Sequence, residues 1–151
     1  MPDIFIADTS CLIVLNKIDQ LELLKNLYQT VLTTQDIQNE FGEVLPSWIE
    51  IKILKDKTRQ LILELQLDKG EASAIALALE INNSTLIVDD FKARKIAEQL
   101  GLKITGTLGV LLKAKQQGLI KLVLPFIEKL KLNGFRISEE LESEIKLLSN
   151  E

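Results

Sequence analysis

Histidine is absent from this sequence, and cysteine, methionine, tryptophan and tyrosine each occur once in 151 residues. Without histidine there is no Ser-His or Cys-His nucleophile system and no imidazole zinc site. A metal would have to be held by oxygen, which points to magnesium or manganese. The lone thiol, Cys11, has no partner for an internal disulfide, which fits a reducing cytoplasm. No neighbour marks it as a thiolate nucleophile, so it reads as a small core residue. The chain has only 3 prolines and 7 glycines, with no linker, low-complexity tract or repeat, so residues 1–151 read as one domain. No run of about 18 uncharged apolar residues exists to cross a membrane. Asp3 and Asp8 interrupt any leader-like stretch. A basic excess is missing too: 18 Lys and Arg face 22 Asp and Glu, for a net charge of −4. That is the wrong sign for gripping nucleic acid with the whole surface, although a local basic patch remains open.

The chain is rich in short apolar segments, 46% hydrophobic overall, and a chain of this length buries roughly 70% of its unfolded surface without disulfides. Ile4 to Ala7, Thr30 to Leu32, Ile49 to Leu54, Thr85 to Val88 and Lys103-Ile104 read as strands. Helical patterns follow from about Ser10, from Gln20 to Leu27, Thr34 to Phe41, Lys69 to Ile81, Phe91 to Leu100 and Leu108 to Gln117. Two amphipathic helices close the chain, Leu122 to Leu130 and Ser138 to Leu148. Gly118 suits a left-handed helix end with Leu119 folding back. The segment KGEASAIALALEI is apolar nearly all round and should be buried on most sides. Alternating elements with apolar strands give an α/β class: a parallel sheet covered by helices.

Ligands of open parallel sheets bind at the carboxyl ends of the strands. Asp8 follows the first strand, and Asp89 and Asp90 follow the strand TLIV. Glu40 lies late on the helix after the second strand, and Glu71 opens the buried helix. Acids gathered there without a basic partner repel and raise one another's pKa, a conflict that a divalent cation resolves. The cation would also supply a hydrolytic nucleophile for a phosphodiester. Each acid has a plainer reading as well. Asp8, Thr9 or Ser10 could cap a helix, Asp68 and Glu71 form a capping box, and one of Asp89 and Asp90 caps the next helix. Glu40, on a helix face, could simply be solvated. Thr9 and Ser10 could position water or a phosphate oxygen. Thr107, opening a helix after Gly106, could offer a hydroxyl and N–H groups to phosphate. Lys92 and Arg94, with Lys95, lie just beyond the acid pair, where a phosphate backbone would enter. Trp48 reads as a packing residue.

IADTSCLIVL, LDKGEASAIALALE, LIVDDFKARKIAEQLGL, GTLGVLLKAKQQGLI and NGFRIS together resemble the PIN domain family, closest to a subgroup related to VapC-type toxin ribonucleases. The resemblance covers essentially the whole chain. It implies a three-layer α/β/α sandwich and cleavage of RNA with Mg²⁺ or Mn²⁺. Asp8, Glu40, Glu71 and Asp90 match the family's acids. Asp8, Glu71, Asp89 and Asp90 are the metal candidates, with Thr9, Ser10, Thr107, Lys92 and Arg94 placing substrate or water. A small antitoxin and a homodimer are the protein partners it implies. The chain departs from the pattern at Val88, where many members carry Thr or Ser, at Ala93, which replaces an aromatic, and at Glu71, which replaces Asp. A PIN-like module that binds RNA or protein without catalysis is the alternative. Haloacid-dehalogenase-like phosphatases share an Asp after the first strand but need a second where Ser10 stands.

Overall fold

The computed structural model describes residues 3–151. Five strands form one parallel sheet: β1 (Ile4–Ala7), β2 (Thr30–Thr33), β3 (Ile49–Ile51), β4 (Ser84–Ile87) and β5 (Lys103–Thr105). Their order is β3-β2-β1-β4-β5. In register, Ile6 of β1 pairs with Leu32 of β2 on one side and Leu86 of β4 on the other. All three side chains are at most 2% exposed. Strands buried on both faces need apolar residues at successive positions, which is why these runs do not alternate.

The helices among the described residues are α1 (Thr9–Lys17), α2 (Glu22–Leu27), α3 (Gln35–Phe41), α4 (Thr58–Leu63), α5 (Lys69–Glu80), α6 (Phe91–Gln99), α7 (Thr107–Gln116), α8 (Leu124–Leu132) and α9 (Glu139–Ser149). One group joins α5 to α3 and α4, with α1 against α3; another joins α7 to α2 and α9. The result is an α/β/α sandwich. In α5 every residue from Ala72 to Ala78 is buried, as its all-round apolar pattern requires. Cys11 is fully buried and unpaired, and Trp48 packs against the core. Gly118 takes φ +78, and the Leu119 N–H folds back to the Ala114 carbonyl at 2.9 Å.

Two details depart from the sequence reading. β3 ends at Ile51, because the chain leaves the sheet there and the N–H groups of Lys55 and Asp56 turn to the Glu80 carboxylate. Helix α4 is additional. Its one buried residue is Gln60, which donates to the Asp36 carboxylate at 2.7 Å, while Leu61 and Ile62 face solvent. A helix that turns its amide inward shows no apolar period.

At the far end of the chain, the Glu151 carboxylate accepts the N–H groups of Val123 at 2.7 Å and Leu124 at 3.0 Å, and pairs with Lys115 at 3.0 Å. One side chain thus caps α8 and ties it to α7.

Candidate active site

β2 and β3 lie on one side of β1, and β4 and β5 on the other. The connections diverge above β1 and β4, which is where an open sheet has a crevice at its carboxyl edge. Asp8 sits at that point. Its N–H donates to the Ile87 carbonyl of β4 at 3.1 Å. It occupies the N-cap position of α1, yet its side chain makes no capping bond. The residue is 1% exposed, and neither carboxylate oxygen has a hydrogen-bond partner among the described residues. A buried ionised group left unpaired is costly and shifts toward its neutral form. Burial pushes the Asp8 pKa from 3.8 up to about 7, with smaller pushes from Glu71, Asp68 and Glu40. The Thr9 N–H pulls the other way without reaching hydrogen-bond geometry.

Glu71 stands in the first turn of α5, whose N-cap Asp68 accepts the Glu71 N–H at 2.8 Å. Its own carboxyl is raised from 4.5 to about 7, by burial first and then by Asp68, Asp90 and Glu40.

Glu40 is held from two sides. Its Oε1 accepts the Thr9 hydroxyl at 2.5 Å, and its Oε2 accepts the Gly70 N–H at 3.2 Å. A Cβ on Gly70 would stand 2.8 Å from the Glu40 Cδ, so only glycine lets the carboxylate come this close. A buried hydroxyl relay fixes the two helices that carry these groups. Ser73 donates to the Gly70 carbonyl at 2.7 Å, which leaves Thr34 to donate to Ser73, also at 2.7 Å. Thr34 in turn accepts the Ile37 N–H and caps α3. Glu40 is therefore a consequence of how α3 and α5 are locked together.

The adjacent acids Asp89 and Asp90 diverge. Asp90 caps α6, its Oδ2 accepting the Ala93 N–H at 3.0 Å, and it is one of the acids that raise Glu71. Asp89 turns to α7: its Oδ1 accepts the Thr107 N–H at 2.8 Å and its Oδ2 the Thr107 hydroxyl at 2.6 Å. Thr107 itself is fully buried. Arg94 donates to the Val88 carbonyl at 2.8 Å beneath this pair. Ser10 and Lys92 point to solvent.

The structure thus gathers Asp8, Glu40, Glu71 and Asp90, and sets Asp89, Thr107 and Arg94 to one side. Asp68 joins the acid group, although the sequence shows it only as a cap. The signal for it lies in Asp68-Lys69-Gly70-Glu71, where two acids flank the glycine that Glu40 needs. Among the described residues no three of these side chains converge closely enough to hold a metal ion as they stand. The donor set nevertheless suits an oxygen-bound divalent cation. Asp8 offers two unpartnered oxygens, and the acids around it need positive charge.

A family model described as a PIN domain matches residues 4–151. The chain belongs to the PIN-domain family. Comparison with curated proteins and with solved structures finds no match. The PIN domain is a nuclease-type fold, whose members are generally hydrolases that act on nucleic acid with divalent metals. The acid group of this PIN domain lies on the carboxyl edge of its sheet, at the β1–β4 crevice. Among the described residues no helix is long and apolar enough to cross a membrane.

Proposed function

We propose that this PIN domain is a Mg²⁺- or Mn²⁺-dependent endoribonuclease of the cytoplasm, acting as a single domain over residues 1–151. The observation that carries the reading is Asp8: a carboxylate 1% exposed with no partner for either oxygen among the described residues. A bound cation would complete such a group.

Asp8, Glu71 and Asp90 are the residues that would hold the cation, with Asp89 one residue from Asp90. Bound there, the cation supplies positive charge to a bridging phosphate and acidifies a water. Glu71 would hold the cation or orient the attacking water, and the burial and neighbouring acids that raise its carboxyl mark the negative charge a cation would offset. Glu40, fixed by Thr9 and Gly70, keeps the negative wall of the crevice in position. Asp89 holds Thr107 at the start of α7, and Ser10 and Lys92 lie at the rim where a strand of RNA enters. Phe91, 79% exposed beside Asp90, offers a flat face on which an unpaired base can stack. That contact favours single-stranded RNA.

A protein partner belongs to the same reading. Val44, Ile53, Leu61, Ile62 and Leu65 are each more than 60% exposed. Apolar groups left open in this number suit a small antitoxin or a second copy of the chain, as in a toxin–antitoxin pair. RNA cleavage that requires Mn²⁺ or Mg²⁺ and disappears in Asp8→Asn tests the central claim.

A further inference from the structure

A cavity lies beside the acid group on the same edge of the sheet. It has a volume of about 420 Å³ and opens between β5, the first turn of α7 and α9. Arg94, Arg136 and Phe135 line it, with Asp89, Gly106 and Glu144. Gly106 makes room for it: a Cβ there would lie 2.8 Å from the Asp89 Oδ1 and 2.9 Å from an Arg94 guanidinium nitrogen.

The charges are unevenly committed. Asp89 is bound through both oxygens to Thr107. Arg94 uses one N–H on the Val88 carbonyl, which leaves the rest of its five donors. Among the described residues neither Arg94 nor Arg136 forms an ion pair. Arg94 and Arg136 face the cavity together with Asp89 and Glu144, so its charges balance, and the donors left free belong to the two guanidinium groups. A guanidinium presents a planar fork of donors that matches a phosphate. Phe135, partly buried against the core, adds an aromatic wall.

The geometry points to a nucleotide subsite: this cavity binds the phosphate and base of a nucleotide flanking the bond that is cut. The inference rests on the nuclease reading above and adds where the strand runs. β5 is the second strand from β1, and neighbouring strands stand about 4.8 Å apart, so the cavity mouth is roughly 10 Å along the edge from Asp8. An RNA strand crossing the carboxyl edge passes the acids first and the arginines next.

The test is binding of a short labelled single-stranded RNA to the full chain in EDTA, over a series of salt concentrations. Arg136 is exposed, so Arg136→Gln removes charge without removing core. Its affinity is expected to fall about tenfold, and the salt slope to flatten by about 0.7 for one lost phosphate contact. Arg136→Lys should restore part of both, and Glu144→Gln should bind more tightly than the wild type. Equal affinity and slope in wild type, Arg136→Gln and Glu144→Gln would overturn the subsite. In that case metal-dependent cleavage, lost in Asp8→Asn, would leave the nuclease reading standing. Arg136-dependent binding without any cleavage would do the reverse. A wild type that neither binds nor cuts RNA would remove both.

Discussion

Glu40 and Gly70 occupy one space: the Glu40 carboxylate lies where a side chain at position 70 would begin, and it accepts the Gly70 N–H at 3.2 Å. Thirty residues of sequence separate them, and neither helix alone fixes the contact.

Gly70→Ala should therefore split stability from activity. Glu40 is exposed at the end of α3 and can swing away, and alanine favours the first turn of α5 over glycine by up to about 1 kcal/mol. The thermal midpoint should barely move. Cleavage should fall on the order of 10²-fold, because the displaced carboxylate no longer shapes the crevice. Circular dichroism melting and single-turnover cleavage on the same preparation check both halves.

Asp8 sets the metal-free stability curve. Its native pKa, about 7, lies above its ordinary value of 3.8. Between those values the native state holds a proton that the unfolded chain has released. Stability in EDTA should thus fall as pH rises from about 4 to about 7, by on the order of 1–3 kcal/mol. Asp8→Asn should lessen that decline and leave the part that Glu71, raised from 4.5 to about 7, contributes over the same range. Mn²⁺ should raise the wild-type melting temperature at pH 7.5 and leave Asp8→Asn unmoved, since a ligand that binds only the native state stabilises it. Melting scans across pH, with and without Mn²⁺, measure each of these.

The neighbouring acids Asp89 and Asp90 should separate by substitution. Asp90→Asn keeps an acceptor for the Ala93 N–H, so its stability cost should stay under about 0.5 kcal/mol, yet cleavage should be strongly reduced. Asp89→Ala strands the buried Thr107 hydroxyl and N–H and should cost about 1–3 kcal/mol. Urea unfolding and cleavage rates for the two variants show which acid serves the crevice and which anchors α7.

Glu151→Ala removes two backbone hydrogen bonds and the Lys115 pair, and should destabilise by about 1–2 kcal/mol. Burial alone would raise the carboxyl, but the Val123 and Leu124 N–H groups and Lys115 together hold it down at about 2, against an ordinary 4.5. Its contribution is full above pH 4.5 and lost as pH falls toward 2. Wild type and Glu151→Ala should therefore converge in acid. Acid unfolding of the pair checks this.

The strands and the acids after them were legible in the sequence, because burial on both faces leaves an apolar run whose end marks the carboxyl edge. Asp8 stood out there as a carboxylate between two buried segments. Helix α4 was not legible, since Gln60 takes the buried position that a leucine would advertise. The divergence of Asp89 and Asp90 was not legible either. It depends on Thr107, eighteen residues on, whose N–H and hydroxyl select one acid of the pair. The tie from Thr9 to Glu40 and the cavity at Arg136 likewise arise only when distant helices meet. Local patterns carry none of these.

The central claim is that the Asp8 crevice cuts RNA with a divalent cation. Incubating an end-labelled RNA pool with wild type and Asp8→Asn, in Mn²⁺, Mg²⁺ or EDTA, tests it most directly. The wild type should cut RNA with Mn²⁺ or Mg²⁺ and not in EDTA, and Asp8→Asn should not cut it under any of these conditions. Cleavage that persists in EDTA, or is equal in the two proteins, or absent from the wild type under every condition, would contradict it.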